Sequence, residues 1–123
     1  MTLRKEVFFG KEPPVVPGPY SQVVRIGQLL FTSGQIGEDP KADIKTQTSQ
    51  ALDRIRSLLE DAGTSLDNIV KCTIYMTNLD EWPAMNQAYM KYFKDNPPAR
   101  TTVEVSRLGK NSRIEIDVIA FAP

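Results

Sequence analysis

Apolar residues along this chain change their spacing several times, and each change predicts an element. The opening stretch "KEPPVVPGPYSQ" has no period and carries four of the nine prolines, which impose an extended, non-helical path. "VVRIGQLLFTSGQIG" then reads as two strands across a tight turn at Gly27-Gln28, the second ending at Gly34. From Ile44 the period becomes helical: Ile44, Ala51, Leu52, Ile55, Leu58, Leu59 and Ala62 recur at three- and four-residue steps. Asp53, Arg54, Arg56 and Glu60 fill the other side, and Gly63 supplies the C-terminal stop. "NIVKCTIYMTN" alternates and is rich in β-branched residues, so it predicts a strand. A second helix follows, capped by Asp80, with Pro83 in its first turn, an apolar stripe of Trp82, Met85, Tyr89, Tyr92 and Phe93, and Pro97-Pro98 as its end. "ARTTVEVSR" and "RIEIDVIAF" predict two last strands, joined through "LGKNS" as a hairpin.

The order strand, strand, helix, strand, helix, strand, strand is an α+β pattern in which both helices cover one face of a mixed sheet. The other face is not simply polar. In the last strand Glu115, Asp117, Ile119 and Phe121 oppose Ile114, Ile116, Val118 and Ala120, so both faces carry apolar residues. A two-faced sheet with helices on one side predicts self-association.

Composition narrows the chemistry. A chain of 123 residues fits one domain, residues 1–123, and 41% hydrophobic residues with 15 basic against 15 acidic exclude a compositionally disordered chain and recognition of nucleic acid by bulk charge. The single cysteine, Cys72, excludes an internal disulfide and suits a reducing compartment. No apolar run reaches the roughly 20 residues of a bilayer span, and "MTLRKEVFFGKEPP" lacks a signal-type core, so the expectation is a soluble, cytoplasmic protein without a membrane partner. With no histidine, Ser-His-Asp and Cys-His schemes are excluded, and with a single cysteine as well a zinc or iron site would need carboxylates alone, so no metal is expected.

Several polar features depart from the local pattern. Arg100 follows Pro97-Pro98-Ala99 at a strand entrance, where a guanidinium fork suits bidentate recognition of a carboxylate or, alternatively, a surface or intersubunit ion pair. Glu115 shares a strand face with Ile119 and Phe121, a setting for acid or base chemistry or, alternatively, for a solvated edge or a pairing with a nearby Lys or Arg. Asn86 falls inside the stripe of the second helix, where its amide must either bond a strand carbonyl or line a site. Ser33, Gly34 and Gln35 end a strand, and the glycine suits close approach of a ligand as well as a β-bulge.

These residues sit in segments that resemble the RidA/YjgF family of reactive-intermediate deaminases: "GPYSQ", "FTSGQI", "QTSQALDRIRSLLEDAG", "DNIVKCTIYMTNLDEWPAMNQAY", "PARTTVEVSRL" and "IEIDVIA", in family order over nearly the whole chain. The resemblance implies a chorismate-mutase-like α+β fold assembled as a homotrimer, with sheets facing inward and sites in the clefts between subunits. It also implies cofactor-free hydrolysis of 2-imino and enamine acids such as 2-aminoacrylate and 2-iminobutyrate to 2-keto acids and ammonia. Arg100 matches the arginine that grips the substrate carboxylate, and Glu115 the acid that holds the attacking water. Tyr20, Ser33, Gly34 and Asn86 match positions lining the same cleft. Thr102 stands where the best-known members often have cysteine; there the backbone carbonyl is thought to meet the substrate nitrogen, so the change is expected to be tolerated. "GEDPKADI" and "KDNPPAR" are shorter than in many relatives. A non-catalytic binding or regulatory trimer is the alternative, since family members without the arginine are inactive. An RNA-cleaving role suggested for some relatives has no support in a neutral chain without a basic stripe.

Overall fold

In the computed structural model, which describes residues 2–123, β-branched and alternating segments form one sheet and the two periodic segments form helices. In chain order these are β1 (Glu6–Phe8), β2 (Val23–Ile26), β3 (Leu29–Thr32), α1 (Ile44–Asp61), β4 (Ile69–Met76), α2 (Trp82–Tyr89), β5 (Ala99–Glu104) and β6 (Ile114–Phe121). The sheet order is β1-β2-β3-β6-β4-β5, antiparallel throughout except for the parallel pair β4 and β5.

Helix α1 begins where Asp43 accepts a hydrogen bond from the Thr46 amide at 2.8 Å. It ends in a Schellman motif: Gly63 has φ +90°, its amide bonds Glu60 O at 3.1 Å, and the Thr64 amide bonds Leu59 O at 2.9 Å. The face carrying Ala51, Leu52, Ile55 and Leu59 is fully buried against Cys72, Ile74 and Met76 of β4 and Ile114 and Ile116 of β6, with Met85 and Tyr89 of α2 closing the same core. Gln47, also fully buried, ties the start of α1 to the entry of β6. Its amide donates to the carbonyls of Pro40 and Ala42, and its oxygen accepts from Ser112 Oγ and the Arg113 amide, leaving no polar atom stranded.

Both helices therefore cover the face built from even positions of β4 and β6. The other face carries Glu115, Asp117, Ile119 and Phe121 of β6 beside Tyr75, Thr73 and Lys71 of β4 and Phe31 and Leu29 of β3. Leu29, Phe31 and Phe121 are exposed there, the two-sided apolar character the alternation predicts.

The structure corrects the sequence reading at several points. The last two strands do not form a hairpin: β4 lies between them, parallel to β5 and antiparallel to β6. The long alternating segments of β4 and β6 match over most of their length, and that non-local pairing outweighs the short connection between β5 and β6. Strand β1, absent from the sequence reading, pairs at the sheet edge with β2. Asp80 does not cap α2; Asn78 accepts from the Asp80 amide at 2.9 Å and opens a 3-10 turn that leads into the helix. The helix stops at Tyr89, so Tyr92 and Phe93 reach the core from a following turn, and Trp82 is 46% exposed rather than part of the buried stripe. Strand β3 ends at Thr32, and Gln35 alone resumes pairing as an isolated bridge to Ile116.

Candidate active site

The residues singled out from the sequence gather in two places. Tyr20, Ser33, Gly34 and Glu115 line a recess of about 300 Å³ on the open face, roofed by Pro14, Val15 and Val16. Arg100 and Asn86 line a second recess of about 370 Å³ at the β5 edge, on the helix-covered side, with Tyr89, Met90, Phe93 and Pro98. Thr102, two positions after Arg100 on β5, shares the helix-covered side with it.

The first recess is built around a missing side chain. A Cβ on Gly34 would lie 2.7 Å from Glu115 Cδ and 2.9 Å from its Cγ, so the carboxylate rests against bare backbone that only glycine provides. Burial raises the Glu115 pKa above the ordinary value, and the neighbouring charge of Asp117 adds to the effect. The Ser33 hydroxyl is engaged structurally, donating to Ser21 O at 2.6 Å, while Tyr20 donates to the Val16 carbonyl and turns its ring toward the recess. The roof is anchored from α1: Arg54, whose side chain is 10% exposed, donates to Pro13 O at 2.7 Å, Gln35 Oε1 at 3.3 Å and Glu38 Oε1 at 3.3 Å. Sequence reasoning placed Arg54 on the solvent side of its helix; only the tertiary fold brings a carbonyl and an amide oxygen to meet it.

The second recess centres on a guanidinium with an aromatic support and no acidic partner. Arg100 CZ lies 4.9 Å from the Tyr89 ring centroid and 6.0 Å from that of Trp82, and none of the ion pairs among the described residues includes it. Asn86 Oδ1, Tyr89 Oη and Thr102 Oγ1 are buried near it without hydrogen-bond partners. The open atom of Asn86 is its acceptor, so a bond to a strand carbonyl, which would use the amide nitrogen, leaves that oxygen free for a donor on a ligand. Buried acceptors and hydroxyls left open beside an unpaired cation are an arrangement that a polar, anionic ligand satisfies. Desolvation pushes the nearby Cys72 thiol up to about 12, so it stays a neutral core side chain. The roles of Tyr89 and Trp82 were hidden in the sequence because both fit an apolar helical stripe; their spacing around Asn86 was the available signal.

Among the described residues no group of Asp, Glu and Cys has a metal-binding arrangement, and no helix is long and apolar enough to cross a membrane.

Comparison with known proteins agrees with this architecture. The family described as Endoribonuclease L-PSP matches residues 10–122. A RutC family protein of Pyrococcus horikoshii is 46% identical over 95% of this chain and 98% of its own length. A solved structure of the conserved Rid protein family from Yersinia pestis is 42% identical with a TM-score of 0.89, covering 97% of this chain and 100% of that one. TdcF of E. coli, solved with bound serine, is 31% identical with a TM-score of 0.89 over 96% of this chain and 99% of its own. With a shared fold and aligned sequence over nearly its full length, the chain belongs to the RidA/YjgF family, which also carries the names RutC and L-PSP.

Proposed function

We propose that the protein is a homotrimeric, cytoplasmic deaminase that hydrolyses 2-imino and enamine acids, such as 2-iminobutyrate and 2-aminoacrylate, to 2-keto acids and ammonia. The observation that carries this reading is the unpaired Arg100 guanidinium, stacked on Tyr89 and surrounded by open polar atoms, in a chain that separately presents a half-buried carboxylate at Glu115. Because the two recesses lie on opposite sides of one sheet, the complete site takes Arg100, Asn86 and Thr102 from one subunit and Glu115, Gly34, Ser33 and Tyr20 from its neighbour. The exposed Leu29, Phe31 and Phe121 of the open face supply apolar surface for such an assembly.

In this site Arg100 clamps the substrate carboxylate through two parallel hydrogen bonds, and the Thr102 carbonyl receives the substrate nitrogen. Glu115 accepts a proton from a water as its oxygen adds to the imine carbon. That proton passes to nitrogen, and as the C–N bond of the tetrahedral adduct breaks, Glu115 moves the adduct's hydroxyl proton to the leaving nitrogen, so that ammonia departs and the carbonyl forms. The upward pKa shift of Glu115 makes its ionised form a better base than a solvated carboxylate. The serine bound to E. coli TdcF, an α-amino acid, has the carboxylate and the nitrogen such a site would grip. The name of the L-PSP family points to RNA cleavage, but equal numbers of basic and acidic residues and no histidine give that reading no support here.

The test couples an imine-generating threonine dehydratase to this protein and follows trapping of the free imine by semicarbazide. Wild type is expected to suppress the trapped product and Arg100→Ala, still folded and oligomeric, to leave it unchanged. Suppression by neither protein points instead to a non-catalytic binding site, and equal suppression by both removes Arg100 from the mechanism.

A further inference from the structure

Beside Glu115, and unused by the mechanism above, stands a second half-buried carboxylate with a defined hydrogen-bond partner. Glu115 and Asp117 are two positions apart on β6, so their side chains leave the same open face. On β4 the residue directly across from Glu115 is Tyr75, and the residue across from Asp117 is Thr73. Tyr75 nevertheless reaches diagonally: its hydroxyl donates to Asp117 Oδ2 at 3.1 Å, past its own cross-strand neighbour. Resting on the deaminase reading, we propose that Asp117, fixed by Tyr75, is a positioning residue for Glu115, placing a second negative charge beside the carboxylate that activates water.

The groups around the pair favour that division of labour. From β4, Tyr75 and Lys71 face the two carboxylates, and the Lys71 ammonium is engaged with Thr101 Oγ1 at 2.6 Å rather than in an ion pair. From β3, Leu29 and Phe31 bring no charge, and from β5 neither do Thr101 and Val103. Tyr20 is the titratable group across the Gly34 recess from Glu115. Asp117 is raised by burial, but the Tyr75 hydrogen bond and the Lys71 charge both favour its ionised form. Within its own chain Glu115 has neither kind of support and is raised by burial and then by Asp117 itself; the cation that the proposed assembly adds, Arg100 of the neighbouring subunit, is the same in all the variants compared below. The Tyr75 hydrogen bond and the Lys71 charge favour a charged Asp117, and that charge makes the loss of the Glu115 proton harder and the resulting carboxylate more basic. The Tyr75 hydroxyl, raised by burial and by both carboxylates, remains a hydrogen-bond donor while they titrate.

The test reads Glu115 directly, by carbon NMR of glutamate labelled at the side-chain carboxyl. Wild type, Asp117→Asn and Tyr75→Phe are titrated without substrate, Glu115→Gln assigning the signal, and kcat/KM for imine hydrolysis is followed against pH in the same proteins. Asp117→Asn is expected to move both the Glu115 midpoint and the acid limb of the rate profile to lower pH. Tyr75→Phe moves them the same way by less, because losing its hydrogen bond makes Asp117 harder to ionise without removing the carboxylate, and it carries the comparison if Asp117→Asn does not fold. A merely structural Asp117 would lower activity at every pH without moving the limb. An unmoved Glu115 midpoint in the folded variants overturns the inference even in an active enzyme. A moved midpoint in a wild-type protein that hydrolyses no imine leaves the electrostatic pairing standing and removes the deaminase reading instead.

Discussion

Arg100 sits across from Cys72 and Glu115 across from Tyr75 on the same strand, β4, so the two charges leave the sheet on opposite faces. Cys72 belongs to the core under the helices, while Tyr75 belongs to the open face. No rotamer of either side chain brings them together through a sheet, so a reaction using both needs a second subunit. Arg100→Ala and Glu115→Gln should therefore each be inactive alone and complement each other when unfolded together and reassembled. With random mixing of equal amounts, a site has an intact arginine half the time and an intact glutamate half the time, so activity returns to about a quarter of wild type. Coupled imine hydrolysis before and after reassembly measures it, and no recovery would place each site within one subunit.

Gly34 is the position where one carbon decides the geometry of the carboxylate. Its φ is not in the left-handed region, so the requirement comes from Glu115 rather than from the backbone. Gly34→Ala forces Glu115 aside, and because the clash is with the end of a flexible side chain beside an open recess, stability should stay close to wild type. If Glu115 activates the water as proposed, displacing it by about an ångström lowers kcat by on the order of a hundredfold. Thermal unfolding alongside steady-state kinetics separates the two effects: a cooperative transition with a much reduced kcat is expected. An unchanged kcat would show that the contact with Gly34 does not set the position of Glu115.

How much of this was legible in the sequence depends on the range of the interaction that decides it. Helix α1, its Gly63 stop and the β2-β3 turn follow from neighbours a few residues apart, and the sequence reading placed them within a residue or two. The β5-β6 hairpin was misread because the choice is made by β4, nearly forty residues before β6 in the chain, whose buried Cys72, Ile74 and Met76 complete the layer begun by Ile114, Ile116 and Val118. Polar residues out of pattern identified Arg100, Asn86 and Glu115 as exceptions. Their separation into two recesses was not legible, since it depends on the registers that β5 and β6 adopt against β4. Arg54 and Tyr75 gave no local signal at all, because each looks ordinary until its distant partner is in place.

Thr102 separates a side-chain role from a backbone role on β5. Its hydroxyl is buried without a partner, so Thr102→Val removes an unsatisfied polar atom and keeps a β-branched shape suited to a strand. Stability in urea is expected to stay within about 1 kcal/mol of wild type or to exceed it, as removal of an orphaned group allows. If the carbonyl, not the hydroxyl, meets the substrate nitrogen, KM and kcat remain near wild type. A large rise in KM would assign the hydroxyl to the ligand.

Glu115 also links stability to pH. Its pKa is raised in the folded chain, so between its unfolded and folded values the native state holds more protons than the unfolded one. The stabilising contribution of its protonated form is fully present below the ordinary carboxylate value and disappears as pH rises through the folded value. Asp117 is raised as well and acts with the same sign. At neutral pH the native state therefore carries two half-buried charges on one strand face that it would be more stable without. Replacing Glu115 with Gln relieves burial of one charge and its repulsion with Asp117, so the variant should melt at a higher temperature than wild type near neutrality. The difference should shrink as pH falls through the carboxylate range, where wild type protonates the same group. Scanning calorimetry of both proteins across that range checks the slope as well as the sign. A variant less stable than wild type at neutral pH would mean that Arg100 of the neighbouring subunit, which the proposed assembly brings to the same site, compensates the Glu115 charge by more than burial and Asp117 oppose it.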